Sequence, residues 1–174
     1  AEEMGHVLRH GVTRHAITYI RCPDNAWDEP APPIFNGACQ FSPGVWPTLR
    51  EGDGRTLLAC GALTEWALVA ARKLASEGIQ AAVIHAGSIQ PADRRAVAEA
   101  ARKTKNLITC EEHAAPGGLG GVVADALSEL GISAKLTRIC LPIARRRTVP
   151  ATESIVRSTL ALLNKGKRSA KRKP

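Results

Sequence analysis

The chain has 174 residues, a formal net charge of +8, 44% hydrophobic residues and only 3% aromatic ones. That length holds one ordinary domain with a sizeable core, or one domain plus a substantial appendage, and alanine, valine, leucine and isoleucine must fill the core, which suits helices packed on a parallel sheet. No apolar run is long enough to span a bilayer, and the polar, helix-patterned start AEEMGHVLRHG does not read as a signal peptide. A cytoplasmic location with no membrane partner is therefore expected, and the alanine start in mid-pattern reads as a fragment or a processed end.

Charge placement argues against specific nucleic-acid binding. The last ten residues, KGKRSAKRKP, hold six positive and no negative charges, which leaves the rest of the chain nearly balanced. Such a run reads as a solvated basic tail over 165–174. No aromatic side chains that could stack on bases are interleaved with it. The five cysteines, Cys22, Cys39, Cys60, Cys110 and Cys140, are odd in number and widely spaced, with no C-x-x-C pair. They read as small buried hydrophobes in a reducing compartment rather than disulfides or zinc ligands.

In chain order, EEMGHVLRH is a short helix and AITYIR, residues 16–21, alternates like a strand. The following 33 residues carry six of the eleven prolines and no sustained period, so 23–54 is expected to be a connector between domains. From Thr56 the pattern is regular. TLLAC is a short apolar run, and LTEWALVAARKLASEG has helical spacing with Gly78 as its stop. AAVIHA is the second run, and PADRRAVAEAARKT the second helix, with Pro91 and Asp93 in its first turn. NLITC is the third run, leading through EEHAAPGGLGG to a helix ended by Gly131. AKLTRICL is the fourth, and TESIVRSTLALLNK, with Thr152 as N-cap, the closing helix. Four strands alternating with four helices predict an open, mostly parallel α/β sheet flanked by helices. The opening helix and strand read as a remnant of another α/β domain, because a lone helix and strand cannot bury a core.

EEHAAPGGLGG, residues 111–121, invites several chemistries. As a dinucleotide loop it would need a glycine at 123, where Val123 stands, and an acidic residue after the next strand, where RICLP stands. A weak anion site at the Gly118 to Gly120 amides stays open, since the loop follows a strand and opens a helix. As a metal site, Glu111, Glu112 and His113 are consecutive and point in different directions, with no supporting ligand spacing; no metal site is expected. Glu112 and His113 could act as acid or base at the end of a central strand, or bond to loop amides or another subunit. EGDGR at 51–55 reads as a Gly/Asp turn.

With the runs in this order, LLACGALTEWAL, SIQPAD and above all TCEEHAAPGGLGGVVAD resemble the C-terminal domain of the transketolase family. HAITYIRCPD is similar to the last strand of that family's pyrimidine-binding domain, and the likeness covers roughly residues 12–163. The EEH-GGLG signature is shared with deoxyxylulose-phosphate synthases and, more loosely, with the β subunits of 2-oxoacid dehydrogenases. YIR together with EEH leans toward the split transketolase made as two polypeptides.

The resemblance implies residues 1–22 as the end of a pyrimidine-binding domain and 55–164 as the C-terminal domain. It implies two-carbon ketol transfer between sugar phosphates, with thiamine diphosphate and Mg2+ bound outside this chain. The chain would then be a structural, dimer-supporting section that is not catalytic alone. A cofactor-binding N-terminal section or subunit, a homo- or hetero-oligomer and a sugar phosphate substrate are the implied partners. Of the family's active-site residues only Arg21 has a matching position, as a contact for the sugar phosphate; a surface salt bridge is the alternative for it. Glu112, His113, Gly118 and Gly120 form the candidate anion-binding or interface loop, and no catalytic residue is expected. After RICLP the chain departs from the family pattern with three arginines, 145–147, read as a solvated loop or a contact for an acidic partner. Two readings from other classes stay beside this one: a stand-alone interaction or regulatory module, and a polyanion binder using the basic tail.

Overall fold

The computed structural model describes residues 2–14, 16–22, 34–35 and 41–141. The expected closing helix, Arg145–Arg147, the basic tail and most of the connector lie outside the described residues. Helix α1 spans Glu2–Thr13. Strand β1 spans Thr48–Arg50, β2 Arg55–Ala59, β3 Ala81–His85, β4 Asn106–Ala114 and β5 Lys135–Leu141. Between them lie helices α2 (Leu63–Ser76), α3 (Arg94–Thr104) and α4 (Leu119–Glu129).

The strands form one sheet in the order β1-β3-β2-β4-β5. All neighbours are parallel except β1, which runs antiparallel to β3. This is the mostly parallel, helix-flanked sheet predicted from the sequence. Strand β2 is buried at every position, as expected when helices cover both faces. Leu57 and Ala59 turn to one face, where they join Val83 and Ile108 against Leu63, Ala67, Ala70 and Leu74 of α2. Leu58 turns to the other, where it joins Ile84 and Leu107 against Val97 of α3 and Leu119 and Val123 of α4. Small residues on α2 let the helix lie close to the strands, so the near-absence of aromatics costs no packing.

Two features depart from the sequence pattern. Residues 46–50, read as part of the connector, belong to the sheet layer. Trp46 is buried, its Nε1 donates to the Ser88 carbonyl at 2.7 Å, and its backbone N–H donates to Asp93 Oδ2 at 2.8 Å. The other Asp93 oxygen accepts from the Ala96 N–H at 2.8 Å and so caps α3. The second departure is segment 16–22, expected as a strand. It carries no ladder to any described strand, and Ile17 and Tyr19 are exposed. A strand is defined by its neighbour, and none is present among the described residues.

Candidate functional site

The chain leaves β2 through α2 toward β3 and returns through α3 to β4 on the other side of β2. The topology therefore reverses between β2 and β4, and the carboxyl ends of these strands border the crevice where open α/β sheets bind ligands. Ala59 lies beside Cys110, and Cys110 beside Ile139. The next residues outward are Cys60, Glu111 and Cys140, the carboxyl rim of the sheet.

Glu111 is fully buried. Its Oε1 accepts the Gly120 N–H at 2.9 Å, in the first turn of α4, where backbone N–H groups have no helical partner. Oε2 is buried without a hydrogen-bond partner. A Cβ on Gly118 would fall inside Oε2, so the carboxylate rests where a side chain at 118 would stand. Gly118 is the N-cap of α4 and provides no side-chain cap; Glu111 provides one from the neighbouring strand. The Gly120 amide of the expected anion loop is thus engaged by the chain's own carboxylate.

Glu112 takes part through its backbone. Its carbonyl accepts from Arg21 Nη2 at 3.0 Å, across 91 residues of sequence. Among the described residues this is the one hydrogen bond of Arg21, and no carboxylate among them pairs with it. The alternative of a surface salt bridge thus finds no partner among the described residues, and the guanidinium is exposed. His113 is exposed, and its Nδ1–H donates to the Ala114 carbonyl at 2.8 Å. Glu111, Glu112 and His113 are not brought together, in agreement with the alternation of side chains along a strand. Arg138 of β5 closes the loop from outside: its stem lies 2.7 Å from a Cβ built on Gly120, and its Nη1 donates to the Ala115 carbonyl at 3.4 Å.

The rim thiols are held protonated. Burial, followed by the Glu111 carboxylate, pushes Cys60 up to about 12, with Arg21 opposing. Burial also raises Cys110, helped by Cys60 and Glu111, and it raises Cys140, helped by Glu111 and opposed by Arg138. Cys22, Cys60, Cys110 and Cys140 are all free. Cys60, Cys110 and Cys140 are thereby kept from thiolate reactivity, whereas Cys22 is exposed, against the expectation that the cysteines are buried hydrophobes.

A second polar constellation went unnoticed in the sequence. His85, at the end of β3, is buried, with Nδ1 2.8 Å from Thr64 Oγ1 on α2 and Nε2 2.6 Å from Glu3 Oε1 on α1. Phe35 meets its ring edge-on at a centroid distance of 5.7 Å. Only tertiary structure joins residues 3, 64 and 85; the sequence offered no more than a histidine closing an apolar run.

No group of three His, Cys, Asp or Glu side chains among the described residues is placed to hold a metal ion. The Gly-Asp-Gly turn at 52–54 does not fit a metal–diphosphate either. A Cβ on Gly52 would lie 2.5 Å from the backbone of Ala81 and Ala82, so its backbone is packed on β3 rather than open to a ligand. No described helix is long and apolar enough to cross a membrane.

Residues 44–159 match the family model of the transketolase C-terminal domain, a range that begins just ahead of Trp46. The chain is 34% identical over 141 residues to 1-deoxy-D-xylulose-5-phosphate synthase 1 of Geobacter sulfurreducens, covering 80% of this chain and 22% of that protein. It is 37% identical over 107 residues to one of the subunits of apulose-4-phosphate transketolase from Actinobacillus succinogenes, covering 62% of this chain and 34% of that polypeptide. A solved structure of a split-gene transketolase, an inactive beta4 tetramer, superposes with a TM-score of 0.71 at 32% identity, over 77% of this chain and 46% of that one. The chain thus spans less than half the length of these relatives.

Proposed function

The chain belongs to the transketolase C-terminal domain family, and we propose that it is the C-terminal section of a thiamine-diphosphate-dependent enzyme that moves a two-carbon ketol unit between sugar phosphates. In this reading the cofactor and Mg2+ sit in a separate section or subunit, which supplies the carbon–carbon chemistry. This chain stabilises the oligomer, is not catalytic alone, and contributes Arg21 to the sugar phosphate.

The observation that carries the reading is the state of segment 16–22. It lacks a sheet neighbour among the described residues, exposes Ile17 and Tyr19, and carries Arg21, whose guanidinium donates to one neutral carbonyl. An unpaired edge is a template for another strand, here one from the cofactor-binding section. A guanidinium with no carboxylate partner among the described residues has its planar fork available for a phosphate. Similarity to one subunit of a transketolase made in parts, and to a split-gene transketolase, supports a two-part enzyme. The free cysteines suit a reducing cytoplasm.

A second reading is the corresponding section of a deoxyxylulose-phosphate synthase, favoured by the 141-residue alignment with such an enzyme. The reaction product of the assembled enzyme separates the two. Calorimetric titration of this chain alone with thiamine diphosphate and Mg2+ tests the division of labour: no heat of binding is expected, and tight binding would assign the cofactor site to this chain.

A further inference from the structure

The proposed function leaves Glu111 unused, yet a fully buried carboxylate with one unpartnered oxygen is costly to maintain. Capping α4 alone does not account for it. Serine, aspartate or asparagine at 118 would cap the same amides from within the helix start. The chain instead has glycine there and a glutamate reaching across from β4, which ties the strand end to the helix end.

The next peptide along β4 shows what this tie accomplishes. Glu111 is pinned by the Gly120 N–H and seated against Gly118, so the strand cannot rotate or slide at this point without unseating its carboxylate. The following residue, Glu112, directs its carbonyl to Arg21. Glu111 and Arg21 also act with opposite sign on the same thiol, Cys60, which places both at the rim between β2 and β4. We propose that Glu111 is a positioning residue for Arg21: with Gly118 and Gly120 it fixes the Glu112 carbonyl, and that carbonyl aims the guanidinium at the phosphate of the sugar substrate. The EEH-GGLG loop is then a mount for a substrate-binding arginine that comes from a segment 91 residues away. This rests on the assignment of Arg21 to the sugar phosphate.

The experiment uses the enzyme assembled with its cofactor-binding section and compares D-ribose 5-phosphate with D-ribose as acceptor. Arg21→Ala should raise KM for the phosphate ester by tens of fold and leave D-ribose unchanged. Glu111→Ala should raise KM for the phosphate ester alone, by about three- to tenfold, with kcat held. Glu111→Gln, which keeps an acceptor for the Gly120 N–H, should restore most of that loss. Arg21→Ala with Glu111→Ala should equal Arg21→Ala alone, since a mount without its arginine has nothing to aim. If Arg21→Ala is selective for the phosphate but the Glu111 variants lower both substrates equally, or the double variant is additive, the positioning role is overturned and the Arg21 assignment stands. If Arg21→Ala is itself unselective, that assignment falls and the mount with it. Glu111→Gln preserves the fold in case Glu111→Ala does not, so the comparison can still be made.

Discussion

The His85 imidazole and the Glu3 carboxylate lie 2.6 Å apart although 82 residues separate them. Glu3 belongs to α1, and His85 ends β3, so this bond ties the N-terminal helix to the α/β sheet. A carboxylate oxygen accepts, so Nε2 carries a proton toward Glu3, and Nδ1 shares a hydrogen bond with the Thr64 hydroxyl. Both ring nitrogens are satisfied inside the protein, which permits the burial of His85.

Glu3→Ala is accordingly expected to leave Nε2 without its partner and to cost about 1–2 kcal/mol. Chemical denaturation measures the loss, and hydrogen exchange of the α1 amides locates it. Unchanged stability and protection would show that the bond does not hold α1.

Two glycines of one loop should respond in opposite ways to alanine. Gly118→Ala drives a methyl into Glu111 Oε2 and is expected to destabilise by about 2–3 kcal/mol. Gly121 has nothing within 4 Å of its Cβ position and lies within α4, so Gly121→Ala should be neutral or stabilise by up to about 1 kcal/mol. Thermal melts of the two variants decide. Equal effects would mean that the Glu111–Gly118 contact does not exist in solution.

At Glu111 the contrast lies between shape and hydrogen bonding. Glu111→Ala removes a buried side chain and orphans the Gly120 N–H, a loss of about 2–4 kcal/mol. Glu111→Gln keeps the acceptor and replaces the unpartnered oxygen with an amide, so it should fall within about 1 kcal/mol of the parent. Denaturation midpoints check both; a glutamine variant as unstable as the alanine one would contradict the described bonding.

Stability should fall at alkaline pH. Thiols of an unfolded chain titrate near 8.5, whereas Cys60 is raised to about 12 and Cys110 and Cys140 are raised as well. Between about 8.5 and 12 the unfolded chain releases protons that the folded chain retains. The stabilisation is thus complete below the unfolded value and is lost as pH rises through this window. At Cys60 and Cys110, where the folded chain keeps a proton that the unfolded chain has lost, the slope approaches about 1.4 kcal/mol per pH unit for each thiol. Melts from about pH 7.5 to 10, spanning the start of that window, should show the decline, and Cys60→Ala should flatten it. A profile insensitive to that substitution would contradict the burial of Cys60.

The four parallel strands and three of the helices were legible because their apolar periods are local and each is punctuated by Gly, Asp or Pro. Strand β1 was not: it is three residues long among prolines, and its only cause is pairing with β3. The alternation in AITYIR was visible, but the partner that would make it a strand is absent from the described residues. At the rim, the sequence marked a glycine-rich helix start and three ionisable neighbours, and it favoured Glu112 and His113. Which of two adjacent glutamates turns inward depends on the face that α4 covers, which is a tertiary fact. It is Glu111 whose carboxylate is used, while Glu112 acts through its carbonyl, a group that no sequence pattern distinguishes.

On the proposed function, this chain is one necessary part of a two-part enzyme. Two-carbon transfer measured with the cofactor-binding section, thiamine diphosphate and Mg2+, with and without this chain, tests that most directly. Transfer only when both parts are present is the predicted result; full transfer by either part alone would contradict the account.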